Sequence, residues 1–244
     1  MSRLRIYIFD SVNYIEYIKK LGIQDELRRC ISEGFEGFDK FIPLLEESAL
    51  IIPLGRWIID TAAKACNRWI TNIPDFVMHI NLSFVQIVKS NIIKDVLEYI
   101  GKYSAANNHY VFEITETIEM DRIPAVERVF KEFIKNDFRL AIDDFGTGYS
   151  NYGYMRDKTF DIVKVDRSFI TDIDKRKNNY LMVSFIIKIA HEMGLHVCIE
   201  GVETKEELSC VRELGADYIQ GYYYGKPVCV ADFEEQHLKK LILG

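Results

Sequence analysis

Side chains that could bind a metal ion or transfer a proton recur in this sequence at the ends of short apolar segments. They are Asn81, Glu113, Asp143 with Asp144, Lys164, Glu200 and Gln220. If these segments are strands, the alternation of side chains lets each strand direct one such residue to the same side. A single acid at a strand end is usually a solvated surface residue. Several in register are harder to explain in that way, because acids disfavour strands and repel one another without cations.

The chemistry of this set favours a hard divalent cation. Asn81, Glu113, Asp143, Asp144 and Glu200 all offer oxygen atoms, which suit Mg²⁺, Mn²⁺ or Ca²⁺ better than zinc. Lys164 falls among these acids, where its ammonium group could hold a phosphate oxygen or orient a water molecule. In a βα barrel, active sites assemble from residues at the carboxyl ends of several strands. We therefore predict a metal-assisted site at that end.

Three other features are weaker signals. Gly146 and Gly148 follow a predicted strand and allow a tight loop with exposed amides, but an ordinary turn explains them equally well. His191 and His196 are five residues apart and miss the i, i+4 spacing of a zinc-binding helix. The run of tyrosines at 222–224 could stack on a base, although aromatic residues more often pack at a strand exit.

The elements that must position these residues alternate regularly from residue 76 onward. The predicted strands are Phe76–Leu82, Tyr110–Ile114, Phe138–Ile142, Phe160–Val165, Leu195–Ile199 and Tyr218–Gln220. The predicted helices between them include Ile123–Asn136, Tyr180–Met193 and Lys205–Leu214. Before them, Leu54–Ile70 is predicted to be a helix with its apolar face at Leu54, Ile58, Ala62 and Ala65. The first 40 residues suggest a strand at Arg5–Phe9 and a helix at Gln24–Ile31. Repeated strand–helix–strand units predict a parallel α/β fold, either a closed barrel or an open sheet.

Composition and charge exclude several classes of protein. The 244 residues include 31 Lys and Arg against 37 Asp and Glu, a net charge of −6 without a basic block, which argues against a DNA or RNA partner. At 48% hydrophobic and 28% charged residues, the composition is that of an ordinary globular domain. Five widely spaced cysteines, no signal peptide and no uninterrupted apolar span predict a cytoplasmic protein that is not inserted in a membrane.

Several sequence motifs, in a fixed order, resemble those of one family. They are Phe112-Glu113-Ile114-Thr115-Glu116, Asp143-Asp144-Phe145-Gly146-Thr147-Gly148, Lys164-Val165-Asp166, Glu200-Gly201-Val202-Glu203 and Gln220-Gly221-Tyr222, preceded by Phe41-Ile42-Pro43 and Asn81-Leu82-Ser83. This set is similar to the EAL domain, the family that hydrolyses the bacterial second messenger cyclic di-GMP to linear pGpG. The resemblance implies a modified TIM-type barrel, Mg²⁺ or Mn²⁺, and frequent homodimers. It places an EAL-like barrel domain at 39–244, after an N-terminal linker and helix at 1–38 that resembles the tail of a GGDEF domain.

The resemblance also assigns roles to individual residues. The metal ligands that it implies are Asn81, Glu113, Asp143, Asp144 and Glu200. The catalytic groups that it implies are Lys164 near the attacking water, Glu116 as the anchor of the Asp-Phe-Gly loop, and Glu203 and Gln220 as water-positioning or supporting groups. The substrate contacts that it implies are Pro43, Asp166, Tyr224 and Pro227. The homodimer that it implies forms through the segment Asp144–Tyr154, which is rich in tyrosine.

The sequence departs from the family at its amino-terminal side. The Glu-Ala-Leu motif, a Gln-Pro at the first strand and a Leu-Arg-Trp that grips the nucleotide are all absent, and Glu36-Gly37-Phe38 is at most a degraded trace. The barrel is therefore predicted to lack its first two strands and one metal-binding acid. Three functions remain open: an active phosphodiesterase, a degenerate domain that binds cyclic di-GMP or a partner without turnover, and a structural dimerisation module. We expect impaired turnover, because losing a ligand that bridges two metals leaves transition-state charge poorly stabilised.

Overall fold

The computed structural model describes residues 3–4, 38–115, 124–147 and 159–238. The chain divides into two compact units. The first comprises Met1–Tyr7 and Tyr110–Pro227, and the second comprises Ile8–His109 and Val228–Gly244. Among the predictions, the strand at Arg5–Phe9, the helix at Gln24–Ile31, Glu116 and residues 148–154 lie outside the described residues.

The first unit contains six strands that pair only in parallel. They are β1 (Arg3–Leu4), β3 (Tyr110–Thr115), β4 (Arg139–Phe145), β5 (Ile162–Val165), β6 (His196–Ile199) and β7 (Tyr218–Ile219), with β2 lying in the second unit. Strand β3 pairs with β4, β4 with β5, β5 with β6, β6 with β7, and β7 with β1. Parallel pairing brings the carboxyl ends of all six strands to one edge, where a site can assemble. This arrangement confirms the predicted parallel α/β class.

Helices connect these strands and cover their apolar side chains. The helices of this unit are α5 (Pro124–Lys135), α6 (Lys177–Glu192) and α7 (Lys205–Glu213), with a short 3₁₀ helix at Arg167–Phe169. On α5, Phe133 packs with its ring centroid 4.7 Å from that of Phe112 on β3, and Phe112 also contacts Phe138. Strands β3 and β5 are almost wholly buried, as the continuous apolar runs of a parallel sheet require.

The second unit is built around one long helix. Its elements are α1 (Phe38–Glu47), α2 (Ile51–Trp69), β2 (Met78–Asn81), α3 (Phe84–Lys89), α4 (Ile92–Ile100) and α8 (Val230–Phe233), followed by a π-helical turn at Glu234–Leu238. Trp69 at the end of α2 packs against Phe233 at 4.7 Å and donates from Nε1 to Glu234. Helices α2 and α3 approach so closely that a Cβ atom at Gly55 would collide with the side chain of Gln86. Gly55 therefore sets the separation of these helices.

From residue 54 onward the predicted strands and helices are confirmed with small shifts at their ends, but the buried face of α2 is only partly the predicted one: Leu54 and Ala65 are buried as expected. Ile58 and Ala62 are only half-buried, whereas Ile59, Ala63 and Trp69 are fully buried. Adjacent apolar residues at 58–59 and 62–63 fit either of two neighbouring stripes, so spacing alone did not separate them. The helix begins at Ile51, three residues earlier than expected, with Pro53 in its first turn, where a missing N–H costs nothing. No helix among the described residues is both long and apolar enough to cross a membrane.

Candidate functional site

Four predicted residues converge at the carboxyl ends of four adjacent strands in the first unit. Glu113 lies on β3, Asp143 on β4 and Lys164 on β5, and Glu200 directly follows β6. The register places Glu113 opposite Ala141 and Thr115 opposite Asp143, so Glu113 and Asp143 are offset by two residues and point to the same face of the sheet. The site is thus a direct product of parallel pairing and of the alternation of side chains.

Lys164 is the centre of the cluster. Its Nζ atom lies 2.7 Å from Glu113 Oε2, 2.7 Å from Asp143 Oδ1 and 2.7 Å from Glu200 Oε1. The lysine side chain is only 3% exposed and that of Glu113 is fully buried, so water screens these ion pairs little. The sequence placed Lys164 among these acids, and the structure shows it in contact with three of their carboxylates. Its role toward a phosphate or a water remains a prediction.

Asp144 joins the cluster through a backbone irregularity. Neighbouring residues of a regular strand point to opposite faces, so Asp143 and Asp144 should not share a site. However, the register of β4 against β5 shifts between Ile142 and Phe145, and Asp144 has a φ of 54°, in the left-handed region. One ligand atom each from Asp143, Asp144 and Glu200 consequently lies within 4.8 Å of the others. A strained backbone of this kind often marks a functional site.

The electrostatics of the cluster are unfavourable for the carboxylates alone. Burial raises the pKa of Asp143 to about 6, although Lys164 opposes the shift and Glu113 adds to it. Burial likewise raises the pKa of Glu200 to about 7, again against the attraction of Lys164. The pKa of Asp144 is also raised, by burial and by the nearby charge of Asp166. One lysine therefore does not compensate the buried negative charge.

This donor set fits a divalent metal ion. Asp143, Asp144 and Glu200 present carboxylate oxygens, the ligands that Mg²⁺ and Mn²⁺ prefer. No thiol or imidazole belongs to the group, so a zinc-type site is not indicated. A divalent cation would also offset the uncompensated negative charge that raises the pKa values of Asp143 and Glu200.

The loops that follow β6 and β7 are held tightly beside the cluster. Gly201 has a φ of +71° and lies against Arg167, where a Cβ atom would collide with the arginine side chain. Val202 donates its N–H to the carbonyl of Gln220, which links the two loops. Gln220 Oε1 is buried without a hydrogen-bond partner among the described residues. A buried acceptor of this kind suits a water molecule or a ligand donor.

The remaining predicted residues are distributed less tightly. Asn81 is the exposed last residue of β2 and Pro43 is an exposed residue of α1, both in the second unit. In the first unit, Asp166 caps the 3₁₀ helix by accepting from Ser168, Tyr224 accepts from Arg212 at 3.0 Å, and Glu203 and Pro227 are exposed. Their proposed roles, and that of Glu116, remain predictions.

Glu207 is a structural residue that the sequence analysis overlooked. It is 6% exposed, and its carboxylate accepts from the backbone N–H groups of Glu203, Thr204 and Asp172. Together with Thr204 it forms a capping box at the start of α7. The pattern Thr204-x-x-Glu207 announces such a cap, so the sequence did contain the signal.

Comparisons with known proteins agree with this geometry. The EAL domain model matches residues 25–227. The cyclic di-GMP phosphodiesterase PdeL of Escherichia coli is 31% identical over 191 residues, which cover 78% of this chain and 53% of PdeL. Among solved structures, the PaMucR phosphodiesterase in complex with c-di-GMP is 28% identical with a TM-score of 0.75, and the match covers 80% of this chain and 79% of that one.

A further structure is informative about metals. BlrP1 of Klebsiella pneumoniae, solved as a manganese and cy-diGMP complex, is 25% identical with a TM-score of 0.59, and the match covers 71% of this chain and 45% of that one.

Several curated relatives are much longer proteins, of which this chain spans 24%, 30% and 22%. The EAL domain match begins at residue 25 and gives no support to a GGDEF tail at the N-terminus.

Proposed function

The chain belongs to the EAL domain family, and on this premise we propose that it is a cyclic di-GMP signalling domain with a metal-dependent phosphodiesterase site and impaired turnover. The observation that carries the proposal is the cluster of Glu113, Asp143, Asp144 and Glu200 around Lys164. It occupies the carboxyl ends of parallel strands, where enzymes of barrel type place their catalytic groups. The c-di-GMP complex of PaMucR supports the choice of ligand.

Asp143, Asp144 and Glu200, with Glu113 beside them, would hold Mg²⁺ or Mn²⁺. Asn81 is a further proposed ligand. Bound divalent cations lower the pKa of a water nucleophile and stabilise the charge that develops on a phosphodiester. The manganese complex of BlrP1 supports this class of cation.

The protein's own side chains would orient the reaction around the cations. Lys164 holds one oxygen each of Glu113, Asp143 and Glu200, which fixes the direction of these carboxylates. Gln220 Oε1 is buried and could accept a hydrogen bond from the attacking water. Glu116 and Glu203 are proposed to support the loops, and Pro43, Asp166, Tyr224 and Pro227 to contact the nucleotide.

Impaired turnover follows from what the sequence lacks. The Glu-Ala-Leu segment would supply another carboxylate to the metals, and its Leu-Arg-Trp an arginine for the phosphate, but neither motif is present. Electrostatic groups aimed at the transition state are typically worth about 10²–10³ in rate each. Binding of cyclic di-GMP without turnover is therefore the second candidate function.

One pair of measurements separates these functions. Calorimetry with cyclic di-GMP in Ca²⁺, which suppresses turnover, measures binding, and chromatography of the products in Mn²⁺ measures hydrolysis to pGpG. For the wild type we expect binding together with slow hydrolysis. In Asp143→Asn we expect that the divalent cation no longer promotes either binding or hydrolysis. Glu213→Gln, an exposed change on α7, is the matched control. Binding without pGpG supports the second candidate, and the absence of binding contradicts both.

We also propose a homodimer formed through the segment Asp144–Tyr154, in the cytoplasm. The support is the tyrosine-rich sequence, because aromatic residues bury a large area at interface centres. In sedimentation, Tyr154→Glu should shift the protein toward monomer without lowering its melting temperature. Leu97→Glu, an exposed change on α4, is the control. A wild-type protein that is monomeric at tens of micromolar would contradict the dimer.

A further inference from the structure

Lys164 occupies the position where a buried cation is most needed. An ammonium group inside a protein is costly unless charged partners surround it. Lys164 is 2% exposed, and three carboxylate oxygens lie 2.7 Å from its Nζ atom. Because an ammonium group has three N–H donors, the number of short contacts matches the number of donors.

The carboxylates need this cation as much as the lysine needs them. Glu113 and Asp143 are buried, Glu200 is mostly buried, and Asp144 lies in the same cluster. Like charges at such distances repel strongly in a medium of low dielectric constant. Without a positive charge at the centre, the ends of β3, β4 and the loop after β6 would be driven apart.

We propose that Lys164 is a built-in counter-cation that holds the acid cluster together while no divalent cation is bound. It contacts one oxygen of Asp143 and one of Glu200, so each carboxylate retains a second oxygen. Asp143, Glu200 and Asp144 together form the group that fits a divalent cation. Lys164 is thus a positioning residue that keeps the site folded and its ligands aimed before the metal arrives. The inference depends on the proposed cation site but does not require hydrolysis of cyclic di-GMP.

A bound divalent cation can replace the charge of a counter-cation, but it cannot replace the packing of an ordinary core residue. In Lys164→Met, the packing of the aliphatic stem is largely kept but the positive charge is lost. The metal-free protein then contains four carboxyl groups without a cation, whereas the metal-bound protein has the divalent charge instead. The variant should therefore be destabilised mainly in the absence of metal. A purely structural role would cost the same stability in both conditions.

The test compares melting temperatures at pH 8 in EDTA and in saturating Mn²⁺. For Lys164→Met we expect a decrease of about 10 °C in EDTA, from the cost of breaking a buried ion pair, and at most half of that in Mn²⁺. Adding Glu113→Gln should restore part of the loss in EDTA, because it removes one of the unbalanced charges. Lys188→Met, an exposed change on α6, should leave both melting temperatures unchanged.

Each outcome of this test either supports or refutes the counter-cation role of Lys164. Equal losses with and without Mn²⁺, or no recovery with Glu113→Gln, would overturn the proposal. If Lys164→Met does not fold in EDTA, folding that returns on adding Mn²⁺ or Glu113→Gln supports it, and failure in every condition refutes it. If Mn²⁺ does not raise the melting temperature of the wild type, the proposed cation site fails, while recovery by Glu113→Gln still tests the counter-charge of Lys164 separately.

Discussion

The two ends of the same parallel strands carry acids in opposite situations. At the carboxyl ends, Glu113, Asp143 and Glu200 crowd around one lysine, and burial raises the pKa values of Asp143 and Glu200. At the amino ends, Asp161 and Asp217 each precede a strand and accept a backbone N–H from the neighbouring strand. These bonds come from Leu140 at 2.9 Å and from Val197 at 2.7 Å.

The amino-end acids are satisfied by the fold itself. Burial alone would raise the pKa of Asp217, but hydrogen bonds from Val197, His191 and His196 outweigh it and lower that pKa. The carboxyl-end acids instead share one ammonium group, and Asp143 also accepts the backbone N–H of Asp144 at 3.1 Å. One end is therefore arranged for stability, and the other retains negative charge that a bound cation can use. The same residue type serves opposite purposes according to the strand end on which it lies.

The largest effect should come from neutralising one carboxyl-end acid. Asp143→Asn removes a charge from the centre of the proposed cation site, so we expect any cyclic di-GMP hydrolysis to fall by about 10²-fold or more. The increase in melting temperature caused by Mn²⁺ should disappear as well, because a ligand stabilises only the state that binds it. Asp161→Asn is the matched change at the amino end and should retain the Mn²⁺ effect. If Mn²⁺ still raises the melting temperature of Asp143→Asn by the full amount, the carboxyl-end acids do not form the cation site, and the contrast with the amino-end acids fails.

A large loss of stability should come from the amino end. Asp217→Ala deprives Val197 N–H of its acceptor and His191 of its charged partner. Since unsatisfied buried donors and charged hydrogen bonds cost about 1–3 kcal/mol each, we expect a decrease of about 3 kcal/mol in the free energy of unfolding. Urea denaturation measures it. The comparison predicts no change in the Mn²⁺ effect, and a changed Mn²⁺ effect would show that Asp217 also serves the site.

The two ends should respond to pH with opposite signs. A carboxyl group whose pKa is raised in the folded state stabilises the protein below its unfolded pKa, and that stability is lost as pH rises through the folded pKa. For Asp143 and Glu200, with pKa values of about 6 and about 7, the metal-free protein should therefore become less stable from about pH 4 to pH 7. Asp217, with a lowered pKa, contributes stability at higher pH that is lost only as the medium becomes strongly acidic.

The measurement is the free energy of unfolding in EDTA between pH 5 and pH 8. One pKa unit corresponds to about 1.4 kcal/mol, and Asp143 and Glu200 titrate about one and two units above pH 5, so we expect a decrease of about 4 kcal/mol in the wild type. Glu200→Gln should flatten the profile, and saturating Mn²⁺ should abolish the decrease by holding the carboxylates ionised. Asp217→Asn should leave this part of the profile unchanged. If the free energy of unfolding of the wild type in EDTA rises between pH 5 and pH 8, the raised pKa values of the carboxyl-end acids are contradicted.

Most of the site was predictable because parallel strands obey a simple alternation. Glu113, Lys164 and Glu200 lie at strand ends in sequence, and pairing in register brings them together without further information. Asp144 was expected in the cluster because it adjoins Asp143, but its actual position depends on a register shift and a positive φ that alternation does not predict. The position of Lys164 among the acids followed from the same alternation, whereas the three short contacts of its Nζ atom depend on burial and distances that only the fold supplies.

Errors elsewhere have equally local causes. On α2, apolar residues stand side by side at 58–59 and 62–63, and the packing against the rest of the unit buries Ile59 and Ala63 rather than Ile58 and Ala62. The amino-end role of Asp217 had no sequence signal, because a carboxylate that accepts from the next strand depends on pairing between distant segments. Spacing within a segment is thus readable in sequence, whereas contacts between segments require the fold.

The smallest effect should come from Thr204, a residue at the carboxyl end that belongs to the scaffold. Its hydroxyl accepts from Glu207 N–H at 3.2 Å and completes the cap of α7, four residues after Glu200. Thr204→Ala should lower the free energy of unfolding by about 1 kcal/mol, the usual cost of losing such a cap. Thr204→Ser retains the hydroxyl and should lose much less. Because the cap does not contact the acids, both variants should keep the full increase in melting temperature caused by Mn²⁺. If Thr204→Ala weakens that increase while Thr204→Ser does not, the cap also positions Glu200, and the start of α7 is then part of the cation site.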